Sequence, residues 1–384
     1  MAIRSKWRFI GLLHNLPLEK PIDTEHMAIV PMSDPRLRKD MSDRNFRHFV
    51  TSFRDQFGRK RQPSALVARG AVRRKPASVL AFRNAVTVSA VTRAWVNFLG
   101  FGRDLEYFRY SGYFDLYPHY LSADYKGLIV RSPLVLGYDL TSEFRGQTAP
   151  ELPPPSGTRE ILDTRLFEAL IQRWRRRHVR GGTSLVLEDE ALFRSLEMAY
   201  RAARVPSDNR GSLDDYGASL ALWVSAMEIL VWPKRGGATV SDVLAALRPA
   251  MICSRKLQRN RFMTQVPRVG RRSVSLMEKL YCEIYRARNS FLHGNRVTDR
   301  SVHPSGYRTR LSLLCYAPLL YRCVLYTLLD LWTCKHDPMT MEAARHRVLL
   351  SAVSEAFFTA TRRYDRGVRR QRVRASMRSL AVSP

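Results

Sequence analysis

Acidic residues are scarce in this chain. Its 384 residues hold 34 Asp and Glu against 64 Lys and Arg, a formal charge of +30. A surface so unbalanced points to a polyanionic partner, RNA first and DNA second, because cations that bind phosphates release condensed counterions. Lysine is scarce as well: only ten of the 64 cations are Lys. Such an arginine bias is also what a GC-rich genome would produce, but the cations cluster, which composition alone does not require. Cysteine is limited to Cys253, Cys282, Cys315, Cys323 and Cys334. The count is odd, no C-x-x-C pair occurs, and no Cys/His group has ligand spacing. This argues against a disulfide framework and a zinc site, and it fits buried free thiols in a reducing compartment.

Long apolar runs are missing too. Phe9–Leu13 is too short for a signal-peptide core. The stretch from Leu311 to Trp332 has membrane length but is broken by Pro318, Arg322 and Asp330. It reads as a buried core helix rather than a span. The expectation is a soluble, cytoplasmic protein with no membrane partner. No glycine-rich phosphate loop occurs in the aromatic-rich part of the first half, and no G-x-S-x-G elbow occurs anywhere.

What is present is enough apolar material for real cores: 45% hydrophobic and 10% aromatic residues, in a length that suits two or three domains. Met27–Val30 reads as a strand ending at Pro31, and Ser33-Asp34-Pro35 as a turn or helix cap. Residues 54–76 carry Arg54, Arg59, Lys60, Arg61, Arg69, Arg73, Arg74 and Lys75 between breaks at Gly58, Pro63, Gly70 and Pro76. The expectation there is a mobile basic loop. Val79–Leu99 suits either a helix or paired strands, and the helix is preferred. The aromatics from Tyr107 to Tyr125 suit a hairpin and a sheet core; beside Arg103, Arg109 and Lys126 they also suit base stacking.

Pro150–Gly157, with three consecutive prolines, excludes helix and marks a domain boundary. Residues 1–152 are therefore expected to form a small mixed α/β domain of unassigned role. Residues 158–361 are expected to form an all-α bundle, and residues 362–384 a basic tail. The fold class is α+β, predominantly α-helical. Beyond the boundary the apolar spacing is helical, starting with Ile161, Leu162, Leu166, Leu170 and Trp174. That helix runs into Arg173, Arg175, Arg176 and Arg177, a basic end read as facing solvent or nucleic acid. Arg369, Arg370 and Arg372 in the tail are read as held to phosphates by charge. A strongly apolar helix from Asp214 to Trp232 has Leu220, Val224, Met227 and Val231 as its stripe. Glu228 lies close to that stripe and wants a cationic partner.

The most informative stretch is Tyr285–Gly294. Leu276, Leu280, Ile284, Ala287 and Phe291 form one helical stripe, and Gly294 supplies the stop. Cys282, Arg286, Asn289 and His293 fall on the opposite side, with Arg288 at the margin. A guanidinium, an amide and an imidazole thus gather at one helix end. The segment Arg288-Asn289-Ser290-Phe291-Leu292-His293 resembles the R-N-x3-H form of the R-x4-6-H signature of the HEPN superfamily. With Ala221–Leu230 on an earlier helix, the setting is most similar to the ApeA-like branch. The likeness covers roughly residues 190–335.

The resemblance implies a helical bundle that works as a metal-independent endoribonuclease, its two motif helices meeting across a homodimer. It implies no cofactor and no metal. His293 would be the acid/base, Arg288 the phosphate and transition-state contact, and Asn289 a positioning hydrogen-bonder. Arg286 shares the His293 face in an ideal helix and remains an alternative to Arg288. Glu228 would face the motif helix and pair with Arg286 or Arg288, as a packing ion pair or as an orienter of the arginine. Asn295 stands where a tyrosine two residues after the histidine would be needed for modification by a partner nucleotidyltransferase. Two functions follow as expectations: a nuclease acting as a bacterial antiviral defence or toxin-like effector, or a non-catalytic RNA- or DNA-binding scaffold.

Overall fold

A computed structural model describes residues 6–13, 16, 18–54, 58–101, 118–119, 121–127, 140–141, 162–179, 187–204, 213–232, 236–250, 261–305 and 312–332. The fold is α+β and predominantly helical, with a small antiparallel sheet near the N-terminus. The chain divides into two compact units: residues 1–91 with 109–154 and 167–189, and residues 92–108 with 155–166 and 190–384. Pro150–Gly157 and the basic tail, including Arg369, Arg370 and Arg372, lie outside the described residues.

The first unit is built on a five-stranded sheet. Its strands are β1 (Arg8–Leu13), β2 (Ile22–Asp23), β3 (Met27–Pro31), β4 (Ser64–Ala68) and β5 (Pro118–His119), in the order β2-β3-β4-β1-β5. The short helices α1 (Arg38–Ser42) and α2 (Arg44–Thr51) follow β3. Phe46, Phe49 and Val50 of α2 join Leu12, Val30, Ala65 and Val67 of the sheet in one apolar core. Asp34 accepts from the Arg36 backbone N–H at the start of the turn that leads into α1, the cap read from Ser33-Asp34-Pro35. α3 (Pro76–Phe101) is a helix, as preferred. Its Phe82 packs edge-on against Trp174, whose indole N–H donates to the Ser78 carbonyl at 2.8 Å.

Residues 54–76 are not one mobile loop. Ser64–Ala68 is an inner strand with all five residues buried, and Ala71–Arg74 forms a short 3-10 helix. The physical reason is the run Ser-Ala-Leu-Val-Ala between Pro63 and Gly70. A strand buried on both faces needs no alternation, so a short apolar run bounded by turn residues suffices. The charges that gave the segment its loop-like look flank the strand.

The second unit is a helical bundle. Its helices are α4 (Thr164–His178, of which only the first turn belongs here), α5 (Leu187–Arg204), α6 (Leu213–Leu230), α7 (Val240–Leu247), α8 (Leu276–Leu292) and α9 (Leu313–Leu328). A two-stranded ribbon, β6 (Phe262–Val266) and β7 (Gly270–Val274), precedes α8. α6 packs on both α8 and α9, and those two pack on each other. This explains why α6 is apolar nearly all round, with Leu220, Trp223, Val224, Ala226, Met227 and Leu230 buried. Hydroxyls join the helices: Ser195 donates to the Ala226 carbonyl at 2.7 Å, and Thr327 to the Ala246 carbonyl at 2.7 Å.

The stretch around Leu311–Trp332 forms the buried helix α9, and among the described residues no helix is long and apolar enough to cross a membrane. Its charge is answered inside the core. Arg322, 1% exposed, donates to Asp163 through Nε at 2.9 Å and Nη2 at 2.7 Å, and the Tyr326 hydroxyl donates to the same carboxylate. Losing one partner of a buried pair leaves an uncompensated charge. Asp163→Ala should therefore lower unfolding stability by about 3–5 kcal/mol, far more than a surface substitution. Urea denaturation of the full chain checks this; an unchanged midpoint would contradict it.

Candidate functional site

α8 begins with a reciprocal cap. The Ser275 hydroxyl accepts from the Glu278 N–H at 3.3 Å, and Glu278 accepts from the Ser275 N–H at 2.8 Å. Its N-terminal half is buried on every side: Leu276, Leu280 and Ile284 of the expected stripe, but also Lys279, Cys282 and Glu283. Cys282 therefore does not face solvent with the motif, and burial pushes its thiol up to about 11. The ribbon covers this back side. Lys279 lies over the Phe262 ring at 5.2 Å and donates to the Ser305 carbonyl at 2.7 Å.

The C-terminal half emerges from the core, and the signature lies there. Phe291 is half-buried beside Gly217 of α6, where a Cβ would stand 2.5 Å from the ring. Only glycine permits that approach. The helix then ends in a Schellman arrangement. His293 donates its backbone N–H to the Asn289 carbonyl at 3.0 Å, Gly294 has φ +67°, and the Asn295 N–H reaches back to the Ser290 carbonyl at 3.0 Å. The stop read at Gly294 is thus present with its glycine conformation.

Arg288 is half-buried. Its Nη1 donates to Asn289 Oδ1 at 2.9 Å, its guanidinium lies 5.6 Å from the Tyr285 ring centroid, and its Nε is buried without a hydrogen-bond partner among the described residues. Asn289 thereby holds the arginine with its side chain and the His293 backbone with its carbonyl. His293 itself is exposed, and its imidazole makes no hydrogen bond among the described residues. Arg286 goes elsewhere: Nε donates to the Cys282 carbonyl at 3.3 Å and Nη2 to the Thr264 hydroxyl at 3.2 Å. Arg286 is thus tied to the ribbon, while Arg288 bonds to Asn289 at the helix end.

Glu228 is half-buried on α6. Among the described residues it makes no direct ion pair, but the nearby positive charge of Arg288 acts on it. Burial raises its carboxyl above the usual range, and Arg288 offsets only part of that rise. The Tyr281 hydroxyl, fully buried and without a hydrogen-bond partner, is pushed up by burial and then by the Glu228 charge. Tyr281, Arg288 and Glu228 therefore share one electrostatic neighbourhood. Among the described residues no cluster of three His, Cys, Asp or Glu has the arrangement of a metal site.

The basic end of α4 is more engaged than a free patch. Arg173 Nη1 donates to Asp189 at 3.2 Å, and Arg176 grips the same buried carboxylate with Nε and Nη2. Arg175 Nε and Arg177 Nη1 are buried without hydrogen-bond partners among the described residues. His178 is driven down to about 4 by burial and by the Arg177 and Lys75 charges. Arg173 and Arg176 are thus held in an intramolecular ionic network on Asp189.

Comparison with protein-family models, with curated proteins and with solved structures finds no match. The likeness to HEPN proteins rests on the residues themselves.

The Glu228 carboxyl gives a pH test with a definite sign. Its folded value is raised, so its contribution to stability is present at acidic pH and is lost as pH rises through that folded value. Glu228→Gln should raise the Tm at pH 8 and leave it nearly unchanged at pH 4. Differential scanning calorimetry at both pH values checks this; a lower Tm for the variant at pH 8 would mean the carboxylate is net stabilising through Arg288.

Proposed function

We propose that the chain is a metal-independent endoribonuclease of the HEPN type, with Arg288, Asn289 and His293 as its working residues. RNA brings its own nucleophile, the 2′-OH. Cleavage needs a group to take that proton, one to protonate the departing 5′-oxygen, and positive charge on the phosphorane. An exposed imidazole suits the proton steps, since histidine is the side chain that most readily serves as both acid and base. A guanidinium suits the phosphorane because its fork matches phosphate oxygens. The observation that carries the reading is Arg288: a half-buried cation with an unused N–H, fixed by Asn289 at the same helix end that presents His293. A phosphate there would answer a charge that has no direct ion pair among the described residues.

Arg286 enters as a support rather than a phosphate contact, since Thr264 and the Cys282 carbonyl occupy it. Glu228 enters through its field on Arg288. The homodimer implied by the resemblance finds support in Leu292 and Leu213, 55% and 43% exposed, at the end of α8 and the start of α6. A second copy covering them would lie beside the motif. The charge of +30 supports RNA as the partner, and a role as a defence or toxin-like effector in the cytoplasm completes the reading.

A second reading, a non-catalytic RNA-binding or scaffold protein, is favoured by one observation. His293 has no acceptor among the described residues to orient its ring. The test is cleavage of mixed structured and single-stranded RNA in EDTA by wild type, His293→Ala and Arg288→Ala. The nuclease reading predicts cleavage by wild type that leaves 2′,3′-cyclic phosphate ends, and a loss of about 10²-fold or more in each variant. Binding by all three without any cleavage would establish the second reading. Equal cleavage by all three would remove the α8 motif from the chemistry.

A further inference from the structure

We infer that the β6–β7 ribbon is an RNA-backbone arm, binding phosphates through Arg261, Arg268, Arg271 and Arg272 and leading the strand toward the end of α8. The inference rests on RNA being the partner, but not on whether the RNA is cut.

Charge is the first observation. Between Met251 and Met277 the sequence has seven Arg or Lys and no Asp or Glu. All four named arginines are exposed, and none has an ion pair or side-chain hydrogen bond among the described residues. This contrasts with Arg173 and Arg176, which are committed to Asp189, and with Arg322, committed to Asp163. The cations of the ribbon are not needed to hold the fold.

Shape is the second. Five residues pair with five in antiparallel register, from Phe262↔Val274 to Val266↔Gly270. The outward face carries Met263, 59% exposed, opposite Ser273, and Gln265 opposite Arg271. The inner face carries Thr264 opposite Arg272, and Thr264 accepts from Arg286 of α8. Arg272 and Arg286 therefore flank one threonine. The cationic track continues from the ribbon onto the motif helix. A two-stranded ribbon is a shape that nucleic-acid grooves admit, and single strands lie along such basic surfaces without sequence preference.

The tip is the third. The Val269 N–H donates to the Val266 carbonyl at 3.1 Å, closing a turn with Pro267 second and Arg268 third. Arg268 is held at φ +62°, where glycine is the ordinary choice and an L side chain costs roughly 1–2 kcal/mol. A cation kept at the strained tip of an otherwise regular ribbon marks a contact position.

The experiment measures binding of the full chain to a labelled RNA hairpin with single-stranded flanks, across a salt series. A His293→Ala background keeps the RNA intact. Arg268→Gln/Arg271→Gln/Arg272→Gln is compared with Arg38→Gln/Arg44→Gln/Arg47→Gln, three exposed arginines of the first unit that remove the same charge. The ribbon variant should weaken binding about tenfold or more and lower the slope of log K against log salt by about 2–3, one released counterion set per lost phosphate contact. The control should stay within about twofold. Thermal unfolding should be unchanged in both. Equal losses in the two variants would overturn the inference in favour of diffuse charge. Unchanged affinity in the ribbon variant would overturn it in favour of a protein-facing ribbon. Failure of the unmutated background to bind RNA would overturn it together with the nuclease reading. The ribbon effect with no cleavage by wild type in EDTA would leave the arm standing and the nuclease reading alone in doubt.

Discussion

The approach of Phe291 to Gly217 is the constraint on which the candidate site depends. α8 leaves the core at its C-terminal half, where a helix end would ordinarily fray. The ring of Phe291 is seated against a backbone that carries no Cβ, and a methyl group there would displace it. The Schellman bonds close the last turn just beyond. Held between these two features, Arg288, Asn289 and His293 come to the surface of the unit in a fixed order. The rest of the bundle serves this placement. α6 brings both Gly217 and Glu228, α9 backs α8, and the Asp163–Arg322–Tyr326 group fixes α9 from within.

Arginine does two different jobs in this protein. Arg173, Arg176 and Arg322 are structural, each matched to a buried carboxylate. Arg288 and the arginines of the ribbon have no such match among the described residues. The net charge of +30 does not distinguish these classes, but the partners do. A guanidinium fixed beside a helix end, as Arg288 is by Asn289, is where a phosphate would be met with little side-chain reorganisation.

Much of the helical architecture was legible from apolar spacing. Leu276, Leu280, Ile284 and Ala287 are buried as their periodicity implies, and Gly294 ends the helix as its position implies. Two things were hidden. β4 was masked by its charged flanks, because a strand buried on both faces shows no alternation. The ribbon was masked because Pro267 and Gly270 look like simple breaks, whereas they bracket a turn between strands. The S-x-x-E run Ser275–Glu278 was an available signal for the start of α8. Side-chain direction was the harder part. An ideal helix puts Arg286 beside His293, but the ribbon packed on α8 captures Arg286 through Thr264, and Cys282 is buried by the same covering. No periodicity in α8 alone carries that information, since it depends on a neighbour.

A ribonuclease with Arg288 and His293 at work requires RNA at the end of α8. Photo-crosslinking of bound RNA to the full chain, followed by mass spectrometry of the linked peptides, reads this directly. Links are expected within residues 285–295, with further links across the β6–β7 ribbon. Links confined to other surfaces, such as the basic end of α4 or residues 362–384, would contradict that requirement.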